Sequence, residues 1–210
     1  IDSCEMGADF EPKYTIIGEE GEKPAGLCGS GLIAIIGELF RTGAINAKGK
    51  FTGEGRRIRY DEYGGGCYVV AFAEESSTGD DITLNESDLD NFIRAKGAIF
   101  SAIQTMLKSI DMTVDDIEKI IIAGGIGSGI DIEKAISIGM LPKADISKYS
   151  YIGNSSLTGA GAMLLSEEAE QKVFDIGRNM TYIELSTYAG YMDELLAACF
   201  IPHTDASLFD

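Results

Sequence analysis

Apolar residues recur along this chain at two spacings, and the change from one to the other marks out its elements. The longest helical stripe lies between Thr83 and Ile110. There Leu89, Phe92, Ile93, Ile99, Phe100, Ile103, Met106, Leu107 and Ile110 keep helical spacing. Thr83 and Glu86 have the separation of a capping box at its start. Turning about 100° per residue from Leu89 sets Lys96 near the middle of the stripe. A shorter stripe, Leu32, Ile33, Ile35, Ile36, Leu39 and Phe40, predicts a helix with Ser30 as N-cap and Gly43 as its end. Ile120-Ile121-Ile122 predicts a strand buried on both faces of a mainly parallel sheet. Asp131 ahead of Ile132, Ala135, Ile136 and Ile138 predicts an N-capped helix, which Gly139 and Pro142 end.

The remaining segments fill in the order. Short strands are expected at Tyr14 to Ile17, Tyr149 to Ile152 and Tyr182 to Leu185, and helices from Leu157 and over Tyr188 to Phe200. Arg57, Arg59 and Asp61 alternate with Ile58 and Tyr60 before Gly64-Gly65-Gly66 turns into Cys67 to Ala73, which predicts a hairpin. This hairpin and the polar loop Glu74 to Asp81 form a small β-rich insertion at about 51–85. Strands and helices otherwise alternate, so the fold class is α/β.

Glycine carries the candidate chemistry. The Ile120 strand runs into Gly124-Gly125-Ile126-Gly127-Ser128-Gly129, and glycines after a buried strand let main chain turn sharply and approach a ligand. Gly29-Ser30-Gly31 opens a helix whose first free amides could face an anion, or whose glycines serve only close packing. Gly153-Asn154-Ser155 precedes a helix start rich in small residues, which suits close helix packing or a hinge between lobes. A lysine in a buried stripe must find an anion or reach solvent. Lys96 accordingly reads either as a snorkelling side chain or as a contact to a nucleotide in a cleft.

Composition removes other classes. Seventeen basic against 34 acidic side chains give a net charge of −17, which argues against nucleic acid and anionic membranes as partners. No apolar run approaches the roughly 18 residues of a membrane span. The four cysteines are scattered without a Cys-x-x-Cys pair, so no metal site built from this chain is expected. Reduced thiols and the lack of a charged-then-apolar leader favour the cytoplasm. His203, the single histidine, stands near Asp205 and reads as a local turn contact before it reads as a catalytic group.

Taken in order, Gly29-Ser30-Gly31, Lys96-Gly97-Ala98-Ile99, Ala123-Gly124-Gly125-x-Gly127, Gly153-Asn154-Ser155-Ser156-Leu157-x-Gly159-Ala160 and the terminal Pro202-His203-Thr204-Asp205 resemble one family. It is the family of ATP-dependent reductive activators of corrinoid proteins, within the actin-like superfamily of sugar kinases, actin and chaperone ATPases. The resemblance implies that residues 1–210 are the second lobe of an actin-like (ribonuclease H-like) ATPase domain, carboxyl-terminal in a longer protein. It implies ATP and Mg²⁺ as cofactors. Gly124, Gly125, Ile126, Gly127 and Ser128 would form the adenosine motif, with Lys96 flanking base and ribose. Gly153, Asn154 and Ser155 would belong to a connecting motif, and the helix opened by Gly29, Ser30 and Gly31 would line the cleft.

No Asp-x-Gly-Thr loop and no Asp-bearing phosphate motif are found, so Mg²⁺ ligands and catalytic residues are expected outside this chain. The [2Fe-2S] cluster of such activators would likewise lie in an amino-terminal part. The implied activity is ATP-driven reduction of cobalt(II) to cobalt(I) in the corrinoid protein of a methyltransferase system, in anaerobic one-carbon metabolism. A homodimer stays open. Two other readings stand beside it: a small-molecule kinase of the same superfamily, and a non-catalytic interaction module whose glycines only pack.

Overall fold

The computed structural model describes residues 1–19, 21–125 and 129–209. Strands β1 (Ser3–Met6) and β2 (Pro12–Thr15) form an antiparallel hairpin whose register runs from Ser3 opposite Thr15 to Met6 opposite Pro12. The expected Tyr14–Ile17 strand is therefore displaced toward Pro12, drawn there by a partner strand that the pattern did not announce. Helix α1 (Gly29–Arg41) packs on this hairpin. Its Ile33, Ile35, Ile36 and Leu39 are at most 3% exposed, and each such side chain contributes about 2 kcal/mol by leaving water. Gly43, at φ +78°, follows the helix end as expected. Cys28, not Ser30, occupies the N-cap, and Ser30 lies inside the first turn.

The insertion is a three-stranded antiparallel sheet, β3 (Ile58–Tyr60), β4 (Gly66–Ala71) and β5 (Ile82–Asn85), with β4 central. It is stitched to the rest by Arg57, which is 6% exposed. Its Nε donates to Glu11 Oε2 at 2.6 Å, and a terminal nitrogen donates to the Val69 and Val70 carbonyls. Helix α2 (Glu86–Ser109) grows directly out of β5. The capping box is formed by Asn85 and Asp88 in place of Thr83 and Glu86, because Thr83 is held in the sheet opposite Val69.

Strands β6 (Ile120–Ile122) and β7 (Tyr149–Tyr151) supply the parallel pairing, Ile120 opposite Tyr149. With no further strand beside them among the described residues, Ile121 is 56% exposed, against the expectation of burial on both faces. Helix α3 (Ile132–Ser137) lies between them in sequence, capped by Asp131 as expected and ended by Gly139 at φ +73°. Helices α4 (Ser155–Leu165), α5 (Glu167–Asn179) and α6 (Tyr191–Ala198) complete the order. Tyr182 to Leu185 is not a strand; a single 3-10 turn at Leu185–Thr187 stands in its place. No described helix is long and apolar enough to cross a membrane.

The core is continuous from α1 through Tyr68, Leu84, Leu89 and Ile93 to Ile138 and Ile201. One carboxylate sits at its edge. Glu38, on the buried side of α1, accepts from the Met6 amide at 2.9 Å and from Arg41, and lies 3.3 Å from the Lys134 ammonium. These contacts join β1, α1 and α3 at one point.

Candidate functional site

Because β6 and β7 are parallel neighbours, their carboxyl ends and the loops that leave them lie side by side. The Ile152 amide donates to the Ile122 carbonyl and the Gly124 amide to the Gly153 carbonyl at 2.9 Å, so the two loops stay zipped past the strands. The Tyr151 hydroxyl closes the pair by donating to the Gly124 carbonyl. Gly124 and Gly153 have φ of +114° and +72°, which glycine adopts without strain. A Cβ added at Gly124, Gly125 or Gly153 would meet nothing within 4 Å among the described residues. Main chain here borders open space. Asn154 spends its side-chain oxygen on the Leu157 amide as N-cap of α4, and the Ser155 amide donates back to Gly153.

The second loop end reaches α1. A Cβ on Gly129 would lie 3.0 Å from Ser30 Oγ, so the glycine segment after β6 ends against the first turn of α1. Gly31 has a separate, steric duty: a Cβ there would fall 2.2 Å from the Ile1 carbonyl oxygen. Gly29 is exposed at the helix start. Three of the four expected segments thus converge: Gly29 to Gly31, Gly124 with Gly125, and Gly153 to Ser155. Ile126, Gly127 and Ser128 lie outside the described residues.

The amino end of α1 is electropositive in effect. No acidic residue occupies its first turn. Cys28 Sγ lies 3.1 Å from Ser30 Oγ. Burial pushes the Cys28 thiol up, but hydrogen bonds from Ser30 and from the Gly31 and Ser30 amides outweigh it and bring it below the ordinary value.

Lys96 is elsewhere. The apolar stripe places it correctly in the interior, with no exposed surface. Its ammonium, however, neither snorkels nor faces the cleft: Nζ donates to the carbonyls of Phe200 and Pro202, the latter at 2.6 Å. Main-chain carbonyls satisfy a buried cation where the expectation placed a nucleotide. Gly97 beside it lets the end of α6 approach, since a Cβ there would sit 3.1 Å from the Ala198 carbonyl and from Cys199 Sγ. His203 also belongs to this region. Its Nδ1 accepts from the Asp205 amide at 3.0 Å, the local turn contact expected, while Nε2 lies 3.5 Å from Glu194 Oε1 and the ring packs on Phe100. Pattern reading missed this terminal strap because its anchors are main-chain oxygens.

Comparison with known proteins agrees with this architecture. A family model described as the C-terminal domain of RACo, the ASKHA domain, matches residues 1–210. The corrinoid activation enzyme RamQ of Eubacterium limosum is 34% identical over 192 residues, which cover 88% of this chain and 32% of that protein. A solved reductive activator for corrinoid, iron-sulfur protein superposes with a TM-score of 0.92 at 45% identity, over 99% of this chain and 33% of that one. The chain spans about a third of the length of each.

Proposed function

Since the chain belongs to the family of RACo C-terminal ASKHA domains, whose fold is actin-like, we propose that it forms the adenosine side of an ATP site in a longer corrinoid-activating protein. The observation that carries this reading is the convergence of three glycine segments at the carboxyl ends of β6 and β7, bordering open space at Gly124, Gly125 and Gly153. Bare main chain offers amides and carbonyls to a ribose or purine edge that side chains would otherwise obstruct. That cradle fits the nucleoside portion of ATP. Gly29 to Gly31, with the first amides of α1, lie where an anionic portion of the same ligand gains from the helix end.

ATP bound there supplies free energy by favouring one arrangement of the two lobes over the other. The residues of this chain bind and orient the nucleoside; no catalytic residue is assigned to them. Among the described residues no group of three or more His, Cys, Asp or Glu could hold a metal. Mg²⁺ ligands and the [2Fe-2S] cluster are accordingly placed in the other two thirds of the parent protein. The activity assigned to that parent is ATP-coupled reduction of cobalt(II) to cobalt(I) in the corrinoid protein of a methyltransferase system, its binding partner.

Alkylation of Cys28 gives a direct test, since its thiol borders Ser30. In the full-length parent, a non-hydrolysable ATP analogue slows Cys28 modification saturably, and ATP accelerates appearance of the cobalt(I) absorption band in the partner. No saturable protection sinks the nucleotide assignment. Cobalt(I) formation indifferent to ATP sinks the coupling.

A further inference from the structure

Lys96 and the terminal strap do not touch the open cradle, yet they are built into the element that leads to it. The strap runs from Ala198 to Asp205 and is fixed at several points. Its Ile201 amide donates to the Ala47 carbonyl at 2.9 Å, its Thr204 amide to the Ala197 carbonyl at 3.1 Å, and Ile201 itself is 1% exposed. Pro202 is the junction. Its carbonyl oxygen accepts from Lys96 Nζ on one side. On the other side it lies against Gly139, where an added Cβ would stand only 2.0 Å away.

Gly139 ends α3, a helix of six residues that begins at Ile132, just beyond the glycine segment. The helix is short enough to move as one body. It is anchored along its flank: Lys134 approaches Gly37 of α1 and its ammonium takes the Cys4 carbonyl and Glu38. Its leading end meets Ser30 through Gly129. The position of its trailing end, and hence the angle at which it presents the glycine segment, is set by the seat of Pro202 on Gly139.

We propose that Lys96 is a positioning residue for the glycine loop after β6: by gripping the Phe200 and Pro202 carbonyls it seats the terminal strap on Gly139, and the seat fixes α3 and the loop ahead of it. This inference rests on the nucleotide reading above. A buried cation suits the task because two carbonyls in a loop have no ladder partner and would otherwise be left unpaired in the interior. The same lysine as a direct ligand contact would have to leave both carbonyls to act.

A double-mutant cycle in the full-length parent separates the two roles. Lys96→Met removes the grip, and Gly139→Ala pushes Pro202 off its seat without touching Lys96. Each is expected to weaken affinity for a non-hydrolysable ATP analogue roughly tenfold, and the double variant by no more than either alone, because both break one linkage. Hydrogen exchange should quicken at the amides of residues 129–137 in both and stay unchanged in β4. Arg94→Ala, on the exposed face of α2, should leave affinity as it was.

Weakening by Lys96→Met with Gly139→Ala unaffected means direct ligand contact, and overturns the proposal. So do fully additive losses, which mean independent effects. If Lys96→Met does not fold, Gly139→Ala decides alone: unchanged affinity and unchanged exchange at 129–137 overturn it. If the unmodified protein binds no analogue, the nucleotide reading itself fails; exchange at 129–137 still reports whether Lys96 governs α3.

Discussion

Glu38 illustrates how one side chain holds three elements. Burial alone would push its carboxyl up, but Arg41, the Met6 amide and Lys134 together hold it below the usual range. Truncation leaves the Lys134 ammonium and the Met6 amide short of a partner in a site only 6% exposed. Glu38→Ala should therefore lower unfolding free energy by about 3 kcal/mol, measurable by urea denaturation. A loss below about 1 kcal/mol would show that the network adds nothing beyond a surface pair. Lys96 behaves oppositely with pH. Burial pulls its ammonium from an ordinary 10.5 to about 7. Between those values the unfolded chain binds more protons than the folded one, so stability rises as pH goes from 7 toward 10.5 and is lost as pH falls back. Lys96→Met should flatten that dependence. An identical slope in the variant would assign it to another group.

At the scale of elements, what was legible in the sequence was what depends on period. The stripes of α1 and α2 predicted both helices and the burial of Lys96, and Asp131 and Gly139 bounded α3 as read. The partners of Lys96 were not legible, because they are carbonyls 104 and 106 residues away and carry no side-chain signature. Capping chemistry was ambiguous for a related reason: Thr83 and Asn85 both suit an N-cap, and the pairing of β5 with β4 decides between them. The hairpin β1–β2 was half seen, since four residues give too little alternation to announce β1. Helix α5 went unread because it is polar at its start and buries nothing; an amphipathic stripe without a core to face gives a weaker signal. The three glycine segments were each visible as motifs, but their adjacency comes from parallel pairing of β6 with β7 and from Gly129 meeting Ser30.

Across the whole molecule two regions differ in how completely they are covered. Around α1, β4 and α2 the interior is closed, with Tyr68, Ile35, Ile36 and Leu89 at 0% exposure. Around β6, α4 and α5 large apolar side chains face outward, Leu157 at 71%, Leu164 at 88% and Leu165 at 90%. The glycine segments lie at the border between these regions, as a site between lobes would. Gly125 offers the cleanest probe of that placement, since its φ is not in the left-handed region and an added Cβ meets no described atom within 4 Å. The decisive measurement is the dissociation constant of a fluorescent ATP analogue for the full-length parent carrying Gly125→Val, read alongside its melting temperature. Side-chain atoms placed where a nucleoside should rest predict an unchanged melting temperature and affinity lowered at least roughly tenfold. Affinity equal to that of the unmodified protein would contradict the account.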